Sequence, residues 1–279
     1  MSGRPPSLRG LLSFSVVPLA VGAAVLGISL TSASTPDQGA ARVSARLAVK
    51  ASQLRDPATP GRVVFLSNFE RSDFRGWYVQ ALPGRVRLVH GSPYEGRANA
   101  RFEVRPGDVE PDTGSQRAEV SGPDFHEGED LYVRVAIRVP RANSFRGPWQ
   151  LVQQFHEDDW GGSPGTAVFL TSGRRLRLGH GDGTQIDWEG PQLRVGRWYD
   201  LVYRVKLSRD PRVGLVEVWL DGRRQRLSNG RFREYGWTMQ QPHVYLKTGI
   251  YRDSTSSGTS VVEDDSVIVV QRRAPRRRG

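Results

Sequence analysis

The sequence predicts an all-β fold, a jelly-roll sandwich of two stacked antiparallel sheets. Three observations favour this class. From Val63 onward, apolar and polar residues alternate with a period of two in about a dozen short segments. Turn-forming Gly, Pro and Asp residues separate these segments. Between residues 60 and 271, no segment carries the apolar stripe of a long helix.

The first half of the predicted domain contains eight of these segments. Residues 131–139 show the pattern most clearly, because every odd position is aliphatic and the even positions are Tyr, Arg, Ala and Arg. One face of such a strand is buried and the other is polar. The other predicted strands of this half are residues 63–68, 85–89, 98–104, 116–121, 151–156, 167–171 and 174–179.

The second half contains five predicted strands. Residues 200–207 alternate in the same way, and residues 215–220 end at Asp221-Gly222, a strong hairpin turn signal that leads into residues 223–227. Residues 244–251 and 266–271 complete the series. With 37% hydrophobic residues, the chain can build one large core, and without cysteine it can form neither a disulfide framework nor a thiolate zinc site.

The N-terminal region precedes the strands and has a different composition. After a short basic stretch, the 21 residues 10–30 are apolar and uncharged, and residues 31–33 are small. Residues 1–33 are therefore predicted to be a signal peptide or, because the run is long enough to cross a bilayer, an uncleaved membrane anchor. Residues 34–60 are predicted to be a flexible linker. Both alternatives predict a secreted or extracellular protein. Contact with a membrane is expected only if the segment remains as an uncleaved anchor.

The formal charge of +11 lies mostly at the two ends of the chain. Residues 1–50 and an Arg-rich tail, 272–279, carry ten of the 40 Lys and Arg but one of the 29 Asp and Glu. The predicted domain, 61–271, is therefore close to neutral. A nucleic-acid partner is not expected for it.

Three predicted strands carry polar side chains at i, i+2 spacing, which places them on one sheet face. We expect a surface that suits an anionic ligand rich in hydroxyl groups. The residues concerned are Arg117 and Glu119 in the first strand, Gln154 and His156 in the second, and Tyr245, Lys247, Gly249 and Tyr251 in the third.

These segments, in this order, resemble the three signature strands of jelly-roll polysaccharide lyases, a group that includes alginate, glucuronan and heparin lyase I-like enzymes. Residues 196–202, 213–222 and 246–252 are especially similar to the heparin lyase I-like branch. The resemblance covers roughly residues 63–271 and implies a concanavalin A-like sandwich that acts on an anionic polysaccharide.

The chemistry implied by this resemblance is β-elimination, in which a uronic acid loses its C5 proton and the C4 glycosidic oxygen leaves. Arg117, Gln154 and His156 would bind or neutralise the carboxylate. Tyr251 would protonate the leaving oxygen, and either Tyr251 or His156 would remove the C5 proton, depending on the stereochemistry of the sugar. The residues expected to contribute to substrate binding are Glu119, Lys247, Tyr245 and Arg252.

No cofactor and no catalytic metal are expected for this reaction. Glu157, Asp158 and Asp159 follow His156 and form either a structural calcium site or a solvated loop.

Two other functions fit the same fold. A non-catalytic carbohydrate-binding domain would not need an acid and a base, and a glycoside hydrolase would need a pair of facing carboxylates that the strands do not show. Within the lyases, Val120-Ser121-Gly122 and Arg252-Asp253 depart from the alginate lyase pattern. The near-neutral domain favours a moderately charged polyuronate over a heavily sulfated polymer.

Overall fold

The computed structural model describes residues 61–71, 74–157, 164–181 and 185–272, and these residues form sixteen β-strands. The predicted all-β fold of two antiparallel sheets is confirmed. The strands are β1 (Gly61–Ser67), β2 (Tyr78–Ala81), β3 (Val86–His90), β4 (Ala98–Val104), β5 (Gln116–His126), β6 (Asp130–Arg138), β7 (Gln150–Glu157), β8 (Thr166–Leu170), β9 (Arg175–His180), β10 (Gln185–Gln192), β11 (Trp198–Lys206), β12 (Leu215–Leu220), β13 (Arg223–Arg224), β14 (Glu234–Tyr235), β15 (His243–Arg252) and β16 (Ser260–Arg272).

The two sheets share one hydrophobic core. The nine-stranded sheet has the order β13-β12-β11-β6-β16-β4-β3, with β1 paired to β16 and β14 paired to β12. The seven-stranded sheet has the order β10-β9-β8-β7-β15-β5-β2. Inward side chains such as Phe102 and Val133 of the first sheet and Phe155 and Ile250 of the second belong to a single buried cluster. Burial of these apolar faces holds the layers together.

The central strands of the seven-stranded sheet bring the three polar segments side by side. In β15, Val244, Leu246 and Ile250 point into the core, and Tyr245, Lys247 and Tyr251 face outward. Across the sheet, Tyr251 lies opposite Arg117 of β5, and Lys247 lies opposite Gln154 of β7. We call this surface the outer face of the seven-stranded sheet.

Most of the predicted strands form, and the differences have local causes. Residues 98–104 and 215–220 are strands with the predicted bounds, whereas β2, β10 and β14 were not predicted. β16 begins at Ser260, earlier than predicted. The predicted strand starts too late because acidic residues interrupt the apolar pattern of β16, and a register shift follows Asp265. In the predicted segment 223–227, the strand ends at Arg224, and Leu227 turns into the core.

The predicted signal or anchor (1–33) and linker (34–60) lie outside the described residues, as do residues 273–279 of the predicted tail. Arg272, which was assigned to that tail, is the last residue of β16 and pairs with Asp130 at 3.3 Å. In the described part of the chain, no helix is long and apolar enough to cross a membrane.

Candidate active site

A buried cluster of charges lies at the centre of the outer face of the seven-stranded sheet. The carboxylate of Glu119 is 2.9 Å from Nζ of Lys247 and 3.4 Å from the guanidinium of Arg117. It also accepts a hydrogen bond of 2.6 Å from Nε2 of Gln154. Lys247 donates a second hydrogen bond, 2.6 Å long, to Oε1 of Gln80 on β2. The cluster therefore contains two cations and one carboxylate.

Burial and charge act against each other in this cluster. Burial raises the pKa of the Glu119 carboxyl, but the charges of Lys247 and Arg117 and the hydrogen bonds outweigh it, so this pKa lies below its ordinary value. Burial also lowers the pKa of Lys247, and Glu119 acts in the opposite direction. The three groups depend on one another, because each would be costly to bury alone.

Tyr251 borders the cluster and is held by its neighbours. The guanidinium carbon of Arg117 lies 4.2 Å from the centre of the Tyr251 ring, and the ring of Trp149 meets Tyr251 edge-on at 5.0 Å. Arg117 is itself fixed by a hydrogen bond of 2.6 Å from its Nε to Oγ of Ser115. This arrangement places the Arg117 guanidinium over the face of the Tyr251 ring and holds the ring in position.

His156 lies on the same face at a different position along the strands. It is opposite Tyr245, with ring centres 5.1 Å apart, whereas Tyr251 is opposite Leu151. The two positions are five residues apart on β7, which corresponds to about 16 Å between backbones. Burial and the charge of Lys247 lower the pKa of His156, so its imidazole is neutral at pH 7.

Gly249 allows β15 to approach β5 beside this cluster. Its φ of 125° is in the region that favours glycine. A Cβ at this position would lie 2.4 Å from the carbonyl oxygen of Ala118 and 2.8 Å from the ring of Phe102. The glycine of the third polar segment is therefore required by the backbone.

The sequence comparisons agree with the architecture. The sequence model of a family described as "Polysaccharide lyase" matches residues 69–267. The chain belongs to this polysaccharide lyase family. A comparison with curated proteins gave no match.

Solved structures of other lyases resemble this polysaccharide lyase family member. The endo-β-1,4-glucuronan lyase of the fungus Trichoderma reesei is 21% identical with a TM-score of 0.57, and the match covers 74% of this chain and 94% of that one. An alginate lyase from Chlorella virus is 8% identical with a TM-score of 0.48, covering 74% and 100% of the two chains. One from Corynebacterium sp. is 16% identical with a TM-score of 0.44, covering 62% and 77%. The first of these similarities shows a common fold.

The structure of this lyase places one expected site residue, Arg252, away from the outer face. Arg252 was expected to bind substrate, but its side chain is only 1% exposed and does not reach the outer face. It donates hydrogen bonds to Gln116 at 2.8 Å and to Gly258 and Ser260 at 2.8 and 2.9 Å. Alternation along β15 explains this, because Arg252 follows Tyr251 and therefore points to the inward side.

The structure of the lyase also adds a residue that the sequence analysis missed. Gln80 binds Lys247 from β2, a four-residue strand that was not predicted. The alternating segment Tyr78-Val79-Gln80-Ala81 is the signal that could have identified it.

The expected calcium site falls mostly outside the described residues, because Asp158 and Asp159 are not among them. Glu157 accepts a hydrogen bond of 2.6 Å from the backbone amide of Gln240. Within the described ranges, no group of three or more His, Cys, Asp or Glu residues is arranged to hold a metal ion.

Proposed function

We propose that this polysaccharide lyase cleaves a uronic-acid polysaccharide by β-elimination on the outer face of the seven-stranded sheet. The observation that carries the proposal is the buried pair of cations, Arg117 and Lys247, which flank the carboxylate of Glu119 directly beside Tyr251. A ligand carboxylate would be attracted to these two cations.

The charge balance suits the difficult step of the reaction. The C5 proton of a uronate is very weakly acidic while the neighbouring carboxylate is ionised, so the site must stabilise the charge that develops on the carboxylate as the proton leaves. Arg117 and Lys247 are positioned to do this. Gln154 was expected to bind the substrate carboxylate, but its Nε2 already donates a hydrogen bond to Glu119. Its buried Oε1 has no hydrogen-bond partner among the described residues. That oxygen would accept a hydrogen bond from a sugar hydroxyl.

Tyr251 is the residue to which we assign the proton transfers. As a phenolate it would take the C5 proton, the electron pair of that bond would form the C4=C5 double bond, and the C4–O4 bond would break. The tyrosine would then return the proton to the leaving O4. In a β-1,4-linked glucuronate the C5 hydrogen and O4 lie on the same side of the ring, so one group can serve both steps.

His156 is the alternative base for a sugar whose C5 hydrogen and O4 lie on opposite sides. Its neutral imidazole is suited to accept a proton, but its position opposite Tyr245 places it far along β7 from Tyr251. We therefore assign His156 and Tyr245 to substrate binding in the case of a glucuronate-type polymer.

A moderately charged polyuronate is the substrate class that we propose, because residues 51–271 carry 30 basic and 28 acidic side chains and are therefore close to neutral. Two of the segments that resemble heparin lyase I-like enzymes, residues 196–202 and 213–222, belong mainly to β11 and β12 of the other sheet. They support the fold rather than a preference for heparin. Because the structure of the Trichoderma reesei glucuronan lyase is similar to that of this chain, glucuronan is the first polymer to test.

Two further parts of the proposal rest on the sequence. Side chains supply every charge and proton in the scheme, so we propose a reaction without a cofactor. The basic and apolar N-terminal segments support export, so we propose that the enzyme acts outside the cytoplasm.

The experiment is to incubate the purified protein with glucuronan, alginate, heparin, heparan sulfate and hyaluronan and to follow the ultraviolet absorbance of unsaturated uronate. We expect absorbance with glucuronan. Binding to these polymers without any absorbance would contradict the proposal and would indicate a non-catalytic carbohydrate-binding domain.

A further inference from the structure

A second surface, at the edge of the nine-stranded sheet, combines arginine with exposed aromatic side chains. Residues 223–233 contain five arginines and no acidic residue. They form β13 and most of the connection to β14, next to β12. We call it the arginine–aromatic patch, and its members are Arg223, Arg224, Arg226, Arg231, Arg233, Trp219, Phe232 and Tyr235.

The aromatic rings of the patch are exposed and stacked with arginine. Phe232 is 37% exposed and Tyr235 is 50% exposed. The guanidinium carbons of Arg224 and Arg226 lie 5.2 and 4.7 Å from the centre of the Phe232 ring, and that of Arg233 lies 5.8 Å from the Tyr235 ring. These contacts orient the guanidinium groups along the ring faces.

The backbone under the patch is held by hydrogen bonds and burial. Leu227 is buried in the core, and its amide donates a hydrogen bond of 2.7 Å to the carbonyl of Arg231. The amide of Ser228 donates to the carbonyl of Asp187 at 2.6 Å. Asn229 accepts from the amide of Arg231 at 2.8 Å and donates to the carbonyl of Arg233 at 3.0 Å. The patch is therefore pre-organised, which reduces the entropy lost on binding.

The charge of the patch is only partly compensated. Glu217 forms ion pairs with Arg224 at 3.2 Å and Arg233 at 2.5 Å. In the part of the chain that the structure describes, the side chains of Arg223, Arg226 and Arg231 form no ion pair. The positive charge is thus a local property of this surface, since residues 51–271 carry 30 basic and 28 acidic side chains.

We propose that the arginine–aromatic patch is a second, non-catalytic binding surface for an acidic polysaccharide. Aromatic rings stack on the apolar faces of sugars, and unpaired guanidinium groups bind carboxylates or sulfates. A polymer held at the patch and in the active site at once would be bound more tightly than by either surface alone. In this last respect the inference rests on the proposed function.

An acidic polysaccharide fits the patch better than a nucleic acid does. Glu217 and Glu234 lie within or beside the patch, and their charges oppose a dense row of phosphates. A polyuronate carries one charge per sugar and presents apolar ring faces between the charges.

The test uses two charge-matched triple variants of the full chain. The patch variant is Arg223→Gln, Arg226→Gln and Arg231→Gln. The control variant removes three exposed arginines outside the patch: Arg62→Gln, Arg141→Gln and Arg194→Gln. Affinity electrophoresis in gels containing polyglucuronate, heparin, hydroxyethylcellulose or single-stranded DNA measures binding. Thermal unfolding verifies folding, and turnover of a glucuronate tetrasaccharide reports on the active site.

We expect the patch variant to bind polyglucuronate about tenfold more weakly than the wild type, with unchanged tetrasaccharide turnover, and the control variant to bind almost as the wild type does. Equal losses in both triples, no loss in the patch variant, or preferential retention by single-stranded DNA would overturn the proposal. If the wild type turns over no substrate but its binding depends on the patch, the proposed function fails and the patch proposal stands.

Discussion

Replacing Glu119 with glutamine perturbs the charge cluster of the active site directly. The side chain is 2% exposed, and its carboxylate contacts Lys247 at 2.9 Å and Arg117 at 3.4 Å. Glu119→Gln keeps the shape but removes the carboxylate that both buried cations contact. Breaking a buried ion pair in this way costs about 3–5 kcal/mol. For a domain of this size each kcal/mol corresponds to about 2–4 °C, so the melting temperature should fall by about 10 °C.

The matched control is Glu189→Gln, because Glu189 forms an ion pair of 2.5 Å with Arg177 but is 37% exposed. An exposed pair contributes about 0–1 kcal/mol, so this variant should melt within about 3 °C of the wild type. Urea unfolding at pH 7 gives the free energies. A loss of less than about 1 kcal/mol in Glu119→Gln, or equal losses in the two variants, would refute the argument that the cluster depends on this carboxylate.

The difference in unfolding free energy between the wild type and Glu119→Gln should depend on pH. The pKa of Glu119 in the folded protein is below its ordinary value of 4.5. Its contribution to stability is therefore present above that value and is lost as the pH falls through the lower folded-state pKa. The difference between the wild type and Glu119→Gln should narrow at acid pH, and a constant difference down to pH 3 would contradict the assignment.

Three further predictions concern neighbouring residues. Burial raises the pKa of Asp264 from 3.8 to about 8, so between these two values the carboxyl ionises in the unfolded chain but stays protonated in the fold, and the free energy of unfolding falls as the pH rises. Asp264→Asn should flatten this loss between about pH 4 and 8, and an unchanged slope would refute the argument. Gly249→Ala, whose Cβ would meet the Ala118 carbonyl at 2.4 Å, should lower the free energy of unfolding by about 3 kcal/mol or more, whereas an unchanged urea midpoint would contradict the strain argument. Lys247→Met removes a charge that lowers the pKa of His156, so the imidazole of His156 should titrate at a higher pH in the variant than in the wild type when followed by NMR, and a shift to lower pH would refute the assignment.

Strand periodicity predicted the parts of the molecule that depend on local sequence. The alternation of β6 and β15 was enough to identify their aliphatic core-facing side chains, because a strand has a period of two whatever it pairs with. For the same reason the outer face of β15 could be predicted to present Tyr245, Lys247 and Tyr251 together.

The remaining features depend on contacts between distant residues. The register that puts Lys247 opposite Gln154 and Tyr251 opposite Leu151 is set by neighbouring strands and by a shift between Thr248 and Tyr251. It separates His156 from Tyr251, which no spacing within one strand could indicate. Gln80 was missed because it belongs to a short strand, where a four-residue pattern is weak evidence.

The central claim, β-elimination at Tyr251, is tested most directly by the fate of solvent oxygen. Polyglucuronate is digested in water enriched in oxygen-18, and the products are analysed by mass spectrometry together with ultraviolet absorbance. Elimination predicts unsaturated products without oxygen-18, and Tyr251→Phe should give no product while still binding the polymer. Saturated products that carry oxygen-18 would show hydrolysis, and full activity of Tyr251→Phe would contradict the assigned proton transfer.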